Sequence, residues 1–181
     1  TKYFYLRRNV LKALVDMPGN KFFAVNTHLT AFATDDTKQK HINGFKSVLD
    51  NIAAEGGYFV AGGDLNELPP NALKTDYCIE DQCSNESYHT GGEPEHKEGA
   101  YFTPEITWLN PFYNTYSPAI ALSDYGDNES DHFTHSPDNN LKLDRKLDYL
   151  WTNTKWVSSK THKEATKLSD HIPVSAVWEV K

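Results

Sequence analysis

Apolar and polar positions follow different rhythms in successive parts of the chain, and each rhythm predicts an element. Residues 3–16 and 21–29 are two apolar runs parted by Pro-Gly-Asn at 18–20, residues that supply the angles of a tight turn, so two strands joined by a turn are expected. The second run, FFAVNTHL, stays apolar until Asn26, as a strand buried on both faces would. The period then lengthens. Ile42, Phe45, Val48, Leu49 and Ile52 recur at spacings of three and four, which predicts a helix with one buried face. Thr34, Asp35 and Asp36 suit its first turn, and Gly56-Gly57 suits its end. YFVAGGDLN reads as another short buried strand.

From about 70 to 143 no period survives among Pro, Gly, Asn, His and aromatic residues, which predicts a long functional loop region or small elements without a clear signature. KLDYLWTN at 146–153 restores a strand. Even positions from Ile172 to Val180 are Ile, Val, Ala, Trp and Val, a period of two with one exposed face. There is no internal repeat. Strands separated by a helix and long loops predict one mixed α/β layered domain over 1–181.

Composition narrows this little. At 181 residues the chain can bury a real core, and 38% hydrophobic with 24% charged residues is ordinary for a globular protein. No apolar run approaches the roughly 20 residues that cross a bilayer. The opening TKYFYLRRNV lacks the apolar stretch of a signal peptide, and the expectation is a removed leader or a piece of something longer. A net charge of −7 offers no general basic footprint for nucleic acid, although a local groove could be basic. Cys78 and Cys83 flank IEDQ and are read either as reduced thiols or as a short-loop disulfide, which would imply an exported or periplasmic protein.

Three apolar strands carry an acid where they meet solvent: Asp64 after YFVAGG, Asp148 within KLDYLW, and Asp170 before the final strand. A carboxylate set against a sheet core is costly unless a cation or donors compensate it. With His28 closing another strand and His171 beside Asp170, these acids suit oxygen-rich metal binding and acid–base work on phosphate esters. Ser-Asp-His occurs twice. The copy at 169–171 leads into the period-two strand and is expected to be functional; the copy at 130–132 leads into a loop and is expected to be a chance repeat. His132 and His135 would bind a metal together only on a helix, which Pro137 opposes, so a substrate-facing loop histidine is the alternative. Arg145 and Lys146 could meet phosphate but are expected to be solvated surface charges, and Tyr101, Phe102, Trp108, Phe112, Tyr113 and Tyr116 are expected to pack the long region against the sheet.

NTHL at 26–29, GGDLNELP at 62–69, RKLDYLWTN at 145–153 and SDHIPV at 169–174 together resemble the endonuclease/exonuclease/phosphatase superfamily, which includes pancreatic deoxyribonuclease and abasic-site endonucleases. The resemblance implies a two-layer β-sandwich flanked by helices, the deoxyribonuclease I-like fold, with the active site at one edge. It implies that His28 contacts the scissile phosphate and that Asp64 and Asn66 orient the attacking water and a phosphate oxygen. Asp148 would hold the His171 imidazole for acid–base work. Asp170, with Asp64 and Asn66, would ligate Mg2+ or Mn2+, with Ca2+ a further candidate, and the partner would be a phosphoester: a small molecule, a lipid head group or nucleic acid. The family pattern also needs an earlier asparagine and a metal-binding glutamate, yet the first glutamate here is Glu55. The chain is therefore expected to match the second half to two-thirds of a family domain, with an apolar face left for an N-terminal half or a partner chain to cover.

Overall fold

A computed structural model of the chain describes residues 8–31, 36–73, 107–136, 142–166 and 168–179. Strands β1 (Val10–Met17) and β2 (Asn20–Thr27) pair antiparallel across Pro18-Gly19, where Gly19 takes a positive φ of 78°. Helix α1 (Thr37–Ala54) carries the chain over to β3 (Tyr58–Asp64), which pairs parallel with β2. Among the described residues of the long middle region, two short helices, α2 (Asn110–Thr115) and α3 (Leu122–Asp127), lie on either side of the two-residue strand β4 (Ser117–Pro118). Strand β5 (Asp148–Thr152) pairs antiparallel with both β3 and β4, giving the order β1-β2-β3-β5-β4. The hairpin of β6 (Trp156–Thr161) and β7 (Val174–Trp178) forms a second, two-stranded sheet.

Register explains the layers. Phe23, Val25, Phe59, Ala61, Tyr149 and Trp151 project to one face, because side chains alternate along paired strands. There they meet Ile42, Phe45, Leu49 and Ile52 of α1 and Phe112 of α2 in one buried cluster. The helix ends as its two glycines foretold: Gly56 adopts φ 74° while its N–H and that of Gly57 bond Ala53 O and Ile52 O, the six-to-one and five-to-two pattern that satisfies terminal carbonyls. Asp36 occupies the N-cap position without a side-chain cap bond and instead pairs with Lys40 at 2.7 Å; Thr34 and Asp35 lie outside the described residues. Phe112 packs on Phe45 and Trp151, so the aromatics of the long region do anchor it to the sheet. Tyr101 and Phe102 lie outside the described residues.

Among the described residues, the opposite face of the main sheet is covered only in part. Trp178 of β7 stacks on Phe22 at 4.6 Å, and the Trp156 indole N–H bonds Ser117 O at 3.0 Å, which seats the hairpin as the start of a second layer. Beside it Leu11, Ala13, Ala24, Val60, Leu150 and Val174 line an open apolar trough of about 390 Å³, and Leu11 stays 68% exposed. The reading of β2 as buried on both faces is thereby corrected: Val25 and Thr27 are buried, but Ala24 and Asn26 point into the open side. The strand β6 was not foreseen, since WVSSKT has only a weak alternation.

Charges thought to be solvated are not. Arg145 lies bidentate on Asp144, Nε to Oδ1 at 2.9 Å and a terminal nitrogen to Oδ2 at 2.5 Å, where the segment before β5 bridges to His135. Lys146 is 1% exposed, donates to Asp148 O at 2.7 Å and lies over the Tyr149 ring. Burial pushes its ammonium down from 10.5 to about 8. With the folded value below the unfolded one, the penalty is complete below about pH 8 and vanishes as pH rises through 10.5. It amounts to about 3 kcal/mol at neutrality. Lys146→Met removes that cost and forfeits one hydrogen bond of about 1 kcal/mol. Urea unfolding is expected to show the variant about 1–2 kcal/mol more stable at pH 7 and no more stable at pH 10.5; equal gains at both pH values would refute this account of Lys146.

Candidate functional site

The sheet brings five of the sequence-predicted residues together at one edge: His28, Asp64, Asn66, Asp148 and His171. Asp64 ends β3 and Asp148 begins β5 directly across from it in the antiparallel register. His28 follows β2, whose Asn26 pairs with Gly62, and Leu29 N donates to Asp64 O at 2.9 Å, so the loop after β2 is tied to the end of β3. His171 enters from the segment leading to β7.

Asp64 is the hub. One carboxylate oxygen, Oδ2, lies 3.3 Å from His28 Nε2 and 3.9 Å from His171 Nε2. Its other oxygen accepts the Asn66 N–H at 2.8 Å, and the Asn66 side-chain amide donates to Asp64 Oδ2 and to Leu29 O, each at 3.1 Å. Asn66 can close this small turn because it adopts φ 50°, a left-handed conformation that asparagine tolerates better than most residues. Burial raises the Asp64 carboxyl above its ordinary range; the Asn66 N–H opposes this and the nearby Asp148 charge adds to it. The turn is braced from behind by Glu67, fully buried, 3.6 Å from Lys38 in the first turn of α1.

His171 Nδ1 lies 2.8 Å from Asp148 Oδ2. This bond holds the imidazole above its ordinary value, against the opposing effect of burial. With Nδ1 engaged, Nε2 is the nitrogen presented to the site. Asp148 is held in turn by its backbone: the buried Thr134 hydroxyl accepts the N–H groups of Leu147 and Asp148 at 3.0 and 3.1 Å. Asp170 is exposed, accepts a bond from Ser169 Oγ at 2.8 Å, and lies beside His171 and His135 rather than against Asp64.

His135, read from the sequence as a loop histidine that could face substrate, lies beside His171, and Thr134 is the addition that the sequence reading lacks. Residues 134–136 form an isolated β-bridge between Arg145 and His171, with Ile172 N donating to Thr134 O and Ser136 N to Asp170 O, each at 2.8 Å. The available signal was the alternation of HFTHS, in which Thr134 and Ser136 are buried and His135 is half-buried. The first Ser-Asp-His falls elsewhere: Asp131 pairs with Lys163 at 3.1 Å and His132 lies near Tyr125. Cys78 and Cys83 lie outside the described residues.

Two carboxylates across a strand pair, one binding an imidazole and one flanked by two, can orient and deprotonate water and steady an anion beside it. Comparison with known proteins bears on the fold. No family model and no curated protein matches the chain. Among solved structures it is similar to an endonuclease/exonuclease/phosphatase from Beutenbergia cavernae (17% identity, TM-score 0.57, 94% of this chain and 39% of that one). It is also similar to the APE2 catalytic domain of Xenopus laevis (16%, 0.55, 93% and 53%) and to an AP endonuclease from Archaeoglobus fulgidus (14%, 0.50, 96% and 72%). The chain thus has the deoxyribonuclease I-like fold of the endonuclease/exonuclease/phosphatase superfamily, and it spans 39% and 53% of the length of the first two of these structures.

Proposed function

We propose that this chain carries the C-terminal part of a divalent-metal-dependent phosphoesterase, which cleaves a phosphodiester or phosphomonoester by attack of activated water. The observation that supports this most is the continuous array Asp148–His171–Asp64–His28, set at the ends of β2, β3 and β5 and before β7. In this reading His171, held by Asp148, moves a proton at Nε2, and Asp64 with Asn66 positions the attacking water. His28, the most exposed of the four, contacts a phosphate oxygen.

The donor set fits a hard cation: Asp64 is a partly buried carboxylate raised by burial and by the charge of Asp148, a circumstance that a positive ion relieves. Asp64 and Asn66 would hold it, with Asp170 nearby; Mg2+ or Mn2+ would supply charge neutralisation at the phosphate. The apolar trough supports a second layer over the open face, from an N-terminal half of the same protein or from a partner chain. An acidic chain of net charge −7 favours a small phosphoester or a lipid head group over duplex nucleic acid.

The test is hydrolysis of bis(4-nitrophenyl) phosphate and 4-nitrophenyl phosphate with Mg2+ or Mn2+, by this chain alone and by the chain together with any segment that precedes it in its gene. Turnover that stops with EDTA in either form is expected. Its absence from both would overturn the reading in favour of a non-catalytic binding module.

A further inference from the structure

Beside the oxygen-rich end of the site lies a second group of different chemical character. His135, Asp170 and His171 each offer a ligand atom within 4.8 Å of the other two. The rings of His135 and His171 sit edge to face, 4.9 Å between centroids, and the β-bridge between these two residues fixes that approach. Each histidine also faces a carboxylate through Nδ1: Asp148 Oδ2 at 2.8 Å from His171, and Asp144 Oδ1 at 3.5 Å from His135. A carboxylate on one ring nitrogen is the usual companion of a metal-binding histidine, because it fixes the tautomer and makes the other nitrogen a better donor. Here that contact is a hydrogen bond at His171 and a looser ion-pair approach at His135, within one bridge. Asp144 is itself buried and held by Arg145, so it is a fixed partner.

We infer that His135, Asp170 and His171 form a binding site for a borderline transition-metal cation such as Zn2+ or Co2+, separate in ligand set from the oxygen donors Asp64 and Asn66. Two imidazoles and one carboxylate suit Zn2+, whereas Mg2+ prefers oxygen and retains its water. Metal–nitrogen bonds of about 2.0–2.1 Å need neighbouring ligand atoms roughly 3.3 Å apart, so the group must draw in by about 1.5 Å. Asp170 is the exposed member of the group and its carboxylate is held by Ser169 Oγ, so it can move towards the rings by exchanging that bond, whereas the two histidines are bridged. One consequence rests on the hydrolase reading above: a cation here occupies His171 Nε2 and withdraws it from proton transfer, so the site inhibits.

Binding is tested by titrating Co2+ into the chain and following its visible absorption, with Zn2+ as competitor. One equivalent is expected to bind. Asp144→Asn is expected to weaken binding roughly 10–100-fold. His135→Ala and His135→Gln are expected to weaken it further, while His162→Ala, which removes a histidine elsewhere on the surface, leaves it unchanged. Circular dichroism of both His135 variants separates loss of a ligand from loss of the fold. Co2+ binding by a folded His135→Gln chain with the parent's affinity would overturn the assignment. In the hydrolysis assay, micromolar Zn2+ added to Mg2+ is expected to inhibit the parent and spare His135→Gln. Co2+ binding that depends on His135 in a protein without hydrolysis would uphold the metal site and defeat the hydrolase reading; hydrolysis with no such dependence would do the reverse.

Discussion

Gly63→Ala is expected to cost at least about 4 kcal/mol of stability, among the largest effects of any single substitution in this chain. Gly63 sits at φ 134°, a conformation that residues with a side chain rarely adopt. A Cβ placed there would lie 1.8 Å from Thr27 O and 3.0 Å from Thr27 C, both backbone atoms of β2 with no flexible side chain to yield. Strain at such an angle contributes about 1–3 kcal/mol, and the collision between strands adds to it. The functional loss follows from the structural one. Gly63 immediately precedes Asp64, and the bond from Leu29 N to Asp64 O spans the same gap between the end of β3 and the loop that carries His28. Urea unfolding measures the first effect, and the His28 and His171 proton resonances report the second. A variant within 1 kcal/mol of the parent would show that β2 and β3 can separate here without penalty, and the tight approach would lose its assigned role.

The second large effect concerns the histidine. On the proposed function, His171→Ala should lower metal-dependent hydrolysis by about 10²–10⁴, the contribution expected of a positioned acid–base group. Asp148→Asn tests the cause rather than the group. It keeps the size of the side chain but removes the negative charge that accepts from Nδ1, so the imidazole should titrate at lower pH than in the parent. The sign for stability follows. Because the folded value is raised, the pair contributes fully below the ordinary histidine value of about 6.5, and the contribution is lost as pH rises through the raised one. In D148N that pH dependence should disappear, and the limb of the rate profile that reports His171 should move to lower pH. An unchanged His171 titration in D148N, followed by NMR, would show that the carboxylate does not set its proton affinity.

Four motifs made most of this site legible in advance, for a reason that lies in the sheet. Asp64, Asp148 and His28 stand where strands end, and strand ends can be read from where an apolar run turns polar. Helix α1 was equally plain, since Ile42, Phe45, Leu49 and Ile52 all reach the core at the spacing that predicted them. What escaped notice lacks a period. Thr134, and the pairing of His135 with His171, belong to a bridge of isolated residues too short for a sustained period, and Asp144, Arg145 and Lys146 look like a solvated charge run in one dimension. Only the pairing of Asp144 with Arg145 and His135, and of Lys146 with a main-chain carbonyl, reveals that the run turns inward. The β2 reading failed for a related reason: a continuous apolar run reports two apolar faces without saying that both are covered.

The hairpin β6–β7 has a kinetic meaning beyond its place in the second layer. A two-stranded sheet is barely stable by itself, and this one leans on the rest of the molecule through ring stacking on Phe22, two indole bonds (Trp156 to Ser117 O and Trp178 to Thr154 Oγ1), the Ser159 hydroxyl on Ala119 O and the buried Ile172. The main sheet, by contrast, carries the buried cluster. His171 stands between the two parts: it leads into β7, yet its ring bonds Asp148 of β5 and its backbone bridges His135. Warming can therefore release the hairpin in a partial opening while β1, β2, β3 and β5 are still paired, and the bridge at His135 is then what keeps the imidazole at Asp148.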